Sequence, residues 1–90
     1  MPERRVTVAT PIGLHARPAM IFTQSAAAAT VPVRIGRPGG ESVDAASILS
    51  VLGLDVRGGE EVVLRADGEG ADEALETLAA LLARNLDRAG

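Results

Sequence analysis

The sequence predicts a two-layer α+β domain: a mostly antiparallel sheet of four strands with three helices over one face. Three observations carry that expectation. Short alternating stretches and helical stretches follow one another in the order β-α-β-β-α-β-α. The strands alternate apolar with polar residues, so one face can be covered while the other meets water. The C-terminal stretch carries a leucine stripe of helical period.

The elements read in order as follows. Residues 4–9, "RRVTVA", place Val6 and Val8 on one face of a strand. A turn at Thr10 to Gly13 leads into a helix from about Ala16 to Ala28, whose large apolar residues are Met20, Ile21 and Phe22. In "VPVRIG", 31–36, Val31, Val33 and Ile35 alternate; Pro32 cannot donate a ladder hydrogen bond and must sit at a strand start or on an unpaired side. "RPGG" at 37–40 is a turn, and "ESVDA" can return as the second arm of a hairpin. Residues 47–53, "SILSVLG", read as a short helix with Ser47 as N-cap and Gly53 as the C′ residue. Gly58-Gly59 turn into a strand at 60–66. A helix from about Gly70 to Arg88 follows, with Leu75, Leu78, Leu81, Leu82 and Leu86 on one stripe extended by Ala71 and Ala74. Asp72 and Glu73 in its first turn and Arg88 near its end suit the helix dipole.

At 90 residues the chain is expected to form a single domain, 1–90, with one modest core. That core must be aliphatic, because Phe22 is the only aromatic residue. The absence of cysteine removes disulfides, thiolate chemistry and Cys-based zinc sites, and one histidine leaves no metal site and no cofactor to expect. Net charge is −3, all nine basic residues are arginine, and no basic stripe appears, which argues against nucleic-acid binding. No apolar stretch approaches the roughly 20 residues of a membrane span, and "MPERRVTV" lacks the apolar region of a signal peptide. A cytoplasmic protein is the expectation, and a monomer.

His15, the one histidine, stands in "TPIGLHARPAMIF", residues 10–22. It can be a polar surface residue or a hydrogen-bonded cap. Its neighbours offer another use. With His15 as N-cap, Ala16, Arg17 and Pro18 form the first helical turn, where amide N–H groups find no acceptor inside the helix. Pro18 has no N–H, and its fixed φ suits that turn. Amides and the positive end of the dipole together make an anion site beside the imidazole, and Arg17 adds a fork that matches phosphate oxygens. Gly13 allows the backbone twist that aims the ring there, and Ala16 leaves room. A histidine over such a pocket can take a phosphoryl group itself, and the positive helix end favours the neutral ring a nucleophile requires. An enzyme acting on small molecules is disfavoured, since no Cys, Tyr, Lys or Trp is present to partner the histidine.

"GLHARPA", residues 13–19, resembles the phosphorylation-site motif of the HPr family, the histidine-containing phosphocarriers of the bacterial phosphoenolpyruvate:sugar phosphotransferase system. The likeness continues through "ASILSVLGL" at 46–54, "GGEEVVLRADG" at 58–68 and "DEALETL" at 72–78. It implies the family's open-faced β-sandwich. It also implies that enzyme I phosphorylates His15 on Nδ1, that Arg17 and the Ala16 and Arg17 amides hold the phosphoryl oxygens, and that an enzyme IIA domain of a sugar permease receives the group. The protein would then be a carrier, transiently phosphorylated, rather than an enzyme.

Ser47 is fully explained as a helix cap; the resemblance adds a regulatory phosphorylation by an HPr kinase. The approach "SVDAA" lacks the basic residue that many regulated relatives carry there. Ile48, Leu49 and Leu52 share one side of a six-residue helix that cannot bury apolar residues all round, with Val51 directed to the core. They can all be core; the resemblance places Ile48, Leu49 and Leu52 beside Met20 as a docking patch for enzyme I and IIA. The alternative function is a regulatory HPr-like protein, working through Ser47 phosphorylation or nitrogen-branch control by binding partners. An intact "GLHARPA" favours the carrier.

Overall fold

The computed structural model describes residues 2–14 and 16–84. The elements are β1 (Glu3–Thr7), α1 (Ala16–Ala27), β2 (Val33–Gly36), β3 (Ser42–Asp44), α2 (Ile48–Gly53), β4 (Glu61–Ala66) and α3 (Ala71–Leu82). Their order is the expected one. The sheet runs β1-β4-β2-β3, with every neighbouring pair antiparallel. In register, Val6 faces Val62, Arg4 faces Leu64, and Leu64 faces Ile35, which in turn faces Val43. These residues look toward the helices. The opposite face presents Glu3, Arg5, Glu61, Arg65 and Arg34, laced by Arg5–Glu61 at 3.3 Å and Arg65–Glu3 at 2.9 Å. That alternation is what an antiparallel sheet with one wet face requires.

Between the layers lies an aliphatic core around the single ring of Phe22, with Leu14, Ile35, Val51, Val62, Leu64, Leu75, Leu78 and Leu82 all closed off from solvent. α1 contributes Pro18, Ala19, Phe22, Thr23 and Ala26; α3 contributes the leucine stripe with Ala71 and Ala74. Leu86 and Arg88 lie outside the described residues. Pro32 sits immediately before β2, where its missing N–H costs no ladder bond.

Several boundaries differ from the expected ones. β1 ends at Thr7; Val8 still bonds to the next segment, donating to Glu60 O and accepting from the Gly59 amide at 2.9 Å each, and Ala9 then turns away to donate to Leu82 O at 3.0 Å. The strand expected from residue 31 starts at Val33. Gly53 is the last residue of α2 rather than its C′ residue: Leu54 is the C-cap, and the left-handed residue that follows is Asp55, φ 52°. Aspartate is one of the few side chains that tolerates this region, which is why glycine is not needed there.

Ser47 is the N-cap of α2, as expected, and its hydroxyl accepts from the Ser50 amide at 3.4 Å. Ser47→Ala should therefore lower stability by about 0.5–1 kcal/mol, the lower part of the range for caps because this bond is long. A urea titration comparing the two proteins measures it, and an unchanged midpoint would show that the hydroxyl contributes nothing.

Candidate functional site

The loop before the histidine is built by backbone interlocking. Gly13 N–H closes the predicted turn on Thr10 O at 2.9 Å, and Leu14 N–H donates to Val56 O at 2.9 Å. Gly13 has φ 83°, and a Cβ there would run into the carbonyl of Val56 and the backbone of Arg57. Gly58 repeats the device from the other side, its missing Cβ making room for the carbonyls of Thr10 and Pro11. Leu14 and Val56 are both buried. Residues 10–14 and 56–58 thus lie against each other with no side chain between them at the glycines. Thr10 is buried too, and the segment after α3 comes close, with Thr10 Oγ1 3.5 Å from Arg84 O.

His15 itself, and with it the expected cap role, lies outside the described residues. Immediately after it, Ala16 begins α1 with φ 37°. A regular first turn was expected there. The reason for the departure is geometric: the chain leaves Leu14 tied to Val56 and must swing at once to bring Pro18 and Ala19 into the core. A left-handed alanine costs roughly 1–2 kcal/mol. Ala16→Gly should accordingly raise stability by about 1 kcal/mol, readable as a higher melting temperature; a lower one would mean that Ala16 is not strained. Arg17 is exposed in the same first turn.

The predicted docking residues divide. Met20 (48%), Ile48 (38%) and Leu49 (80%) are exposed, so a wholly core role is excluded for them. Leu52 is only partly exposed and packs against the core, and Val51 is fully buried, as expected. α1 packs against α2. Ile12, 58% exposed in the loop just before His15, is a large apolar residue that sequence reasoning passed over. Its signal was an isoleucine inside a Pro-Ile-Gly turn, where no core position is available.

A second cluster, also unforeseen, lies at the far end of α2. Arg37, from the β2–β3 turn, donates to Leu54 O from Nε at 3.2 Å and from Nη2 at 3.0 Å, and to Asp55 O at 2.8 Å. It also pairs with Glu60 at 3.1 Å. Glu60 accepts the Arg57 amide at 2.7 Å. The Arg37 guanidinium, and after it the Arg57 amide, hold the Glu60 carboxyl below its ordinary value of 4.5. With the folded value below the unfolded one, the stability this group contributes is complete above the unfolded value. It is lost as pH falls through the folded value. The stability gap between the protein and Glu60→Gln should therefore be constant near neutral pH and narrow as pH falls below 4.5, measured by urea titration at each pH. A gap that stays constant would sink this account.

Among the described residues no group of three or more His, Cys, Asp and Glu side chains is placed to hold a metal ion, and no helix is long and apolar enough to cross a membrane. A protein-family model described as "PTS HPr component phosphorylation site" matches residues 2–84. The chain belongs to the HPr family. It is 56% identical over 87 residues to the phosphocarrier protein HPr of Streptomyces coelicolor, covering 97% of this chain and 94% of that one. It is 44% identical over 80 residues to the HPr-like protein Crh of Bacillus subtilis, covering 89% of this chain and 93% of that one. The solved structure of HPr-C-His from Thermoanaerobacter tengcongensis superposes with a TM-score of 0.88 at 31% identity, covering 98% of each chain. The open-faced arrangement of four antiparallel strands and three helices is that of HPr structures. This is a phosphocarrier fold of the phosphotransferase system.

Proposed function

We propose that His15 accepts a phosphoryl group from phospho-enzyme I and passes it to an enzyme IIA domain of a sugar permease. The observation that carries this reading is "GLHARPA" lying within a family match that spans 2–84, on a loop whose backbone is fixed on both sides of Gly13. The Nδ1 lone pair attacks phosphorus; a new N–P bond forms as the bond to the donor breaks, and the donor leaves with the electron pair. Arg17 and the Ala16 and Arg17 amides receive the phosphoryl oxygens at the positive end of α1. Such transfer needs positioning and electrostatics more than further catalytic groups. Helix-end stabilisation is about 0.3–1 kcal/mol, small enough for the group to be handed on.

Docking of both partners falls to Met20, Ile48 and Leu49, with Leu52 supporting them from partial burial and Ile12 at the margin of the site. Among the described residues the exposed large apolar side chains are Ile12, Met20, Ile48 and Leu49, which supports that assignment.

A second reading has one observation behind it, the 44% identity to Crh, the catabolite repression HPr of Bacillus subtilis. There Ser47 would be phosphorylated by an HPr kinase, adding about −1.5 to −2 charge at the start of α2 and opposing acidic partners. The retained histidine favours the carrier. The test is incubation with phosphoenolpyruvate and enzyme I from the same organism, followed by mass and ³¹P spectra. Gain of one acid-labile phosphoryl group supports the carrier; no gain would leave only the regulatory reading.

A further inference from the structure

α2 is a six-residue helix with no basic residue in its last turn, yet its terminal carbonyls must be satisfied. The Leu54 and Asp55 amides cap Val51 O and Leu52 O, and Arg37, from another element, takes the C-cap carbonyl of Leu54 and the carbonyl of Asp55 just beyond it. Its guanidinium spans three groups: Leu54 O and Asp55 O at the start of the 54–60 segment, and the Glu60 carboxylate at its end. The segment is therefore tied at both ends by one side chain. Its middle is where the loop before His15 is seated. Val56 O receives the Leu14 amide, the backbone of Val56 and Arg57 abuts Gly13, and Gly58 abuts Thr10 and Pro11. His15 follows Leu14, the last seated residue, directly in the chain.

We propose that Arg37 is a positioning residue for phosphoryl acceptance: it fixes the 54–60 segment, and through Val56 and the two interlocked glycines it fixes the loop that presents His15. This rests on the phosphocarrier reading of His15. Arginine suits the task because its planar fork directs donors along several lines at once, whereas an ammonium is a point charge. Ile48 and Leu49 lie at the opposite end of α2, at the Ser47 cap, so binding of partners should be spared.

The test uses the full chain with enzyme I and phosphoenolpyruvate and compares Arg37→Met with Arg65→Met. The latter removes an arginine paired at 2.9 Å on the open face of the sheet and touching neither segment. Two quantities are read: hydrogen exchange of the Leu14 amide, and kcat with KM for phosphorylation of the carrier. Arg37→Met should speed Leu14 exchange by about tenfold and lower kcat by about tenfold with KM within about twofold, since small misplacement is costly in transfer reactions. Arg65→Met should leave both near wild type. Equal effects of the two variants would reduce Arg37 to general stabilisation and overturn the proposal. So would faster Leu14 exchange with unchanged kcat, while leaving the carrier reading intact. If the wild-type chain took up no phosphoryl group, the carrier reading would fail and the proposal with it, and the exchange data would then report only a mechanical link.

Discussion

His15→Ala should abolish phosphoryl uptake. Composition makes this expectation unusually clean. The chain contains one histidine, no lysine, no cysteine and no tyrosine, and its nine basic residues are all arginine, which stays protonated in proteins. No other side-chain nitrogen can take over as nucleophile. Initial rates of labelling by phospho-enzyme I should fall by more than about 10³-fold, some 4 kcal/mol of transition-state free energy. The fold should persist, since the core around Phe22 and the leucines of α3 is untouched by the change, and the cost in stability should stay within about 1 kcal/mol. Mass spectra before and after acid treatment, with ³¹P spectra on the same samples, read the result. An acid-labile group surviving in His15→Ala would remove His15 from the proposed role.

Gly13→Ala should produce the largest loss of stability among changes near the loop. Two costs combine at this position. A left-handed alanine costs roughly 1–2 kcal/mol. The new methyl would also collide with the Val56 carbonyl, a backbone atom that cannot rotate aside, adding roughly 1–3 kcal/mol of overpacking. The sum, about 3 kcal/mol, corresponds to a melting temperature lower by roughly 12–24 °C for a domain of this size. Gly39→Ala separates the two costs. Gly39 has a similar φ of 78°, but nothing lies within 4 Å of its Cβ direction, so only the conformational part remains. Thermal unfolding of both variants decides the matter. Equal losses at the two positions would mean that the loop yields and that the close approach of residues 13 and 56 is not rigid. Phosphoryl uptake by Gly13→Ala, assayed below its melting temperature, should fall as well, because the same contact seats the loop.

The order of elements and the identity of the core were legible in the sequence because they rest on periodicity. Leu75, Leu78 and Leu82 announce the buried face of α3 by spacing alone, and Val51 is forced inward by the shortness of α2. Ser47 was legible as a cap because capping is local chemistry. Asp55 was not, since Gly53 offered the stronger C-terminal signal and the left-handed residue stands two positions later. The Arg37 clamp was invisible for a different reason. Its partners Leu54 and Asp55 contribute backbone carbonyls 17 and 18 residues away, and carbonyls leave no mark in a sequence. Gly13 and Gly58 could each be read as turn residues. That they face one another's backbones depends on how the helices and the sheet pack.

The strand order has a consequence for how the protein is made. Of the four strands described, β1 is made first, yet among the described residues it pairs with β4 alone, and the Glu3–Arg65 contact joins residues 62 apart. Non-local pairings of this kind form late, because the intervening chain must be closed first. A nascent chain halted at residue 50 would already display "GLHARPA" in full, but neither the strand that holds β1 nor the Val56 and Gly58 seat would yet exist. Synthesis therefore separates possession of the motif from competence. On the proposed carrier role, a half-made chain would offer a phosphoryl donor the right letters without the surface that gives them meaning, and loading would wait for the second half of the domain.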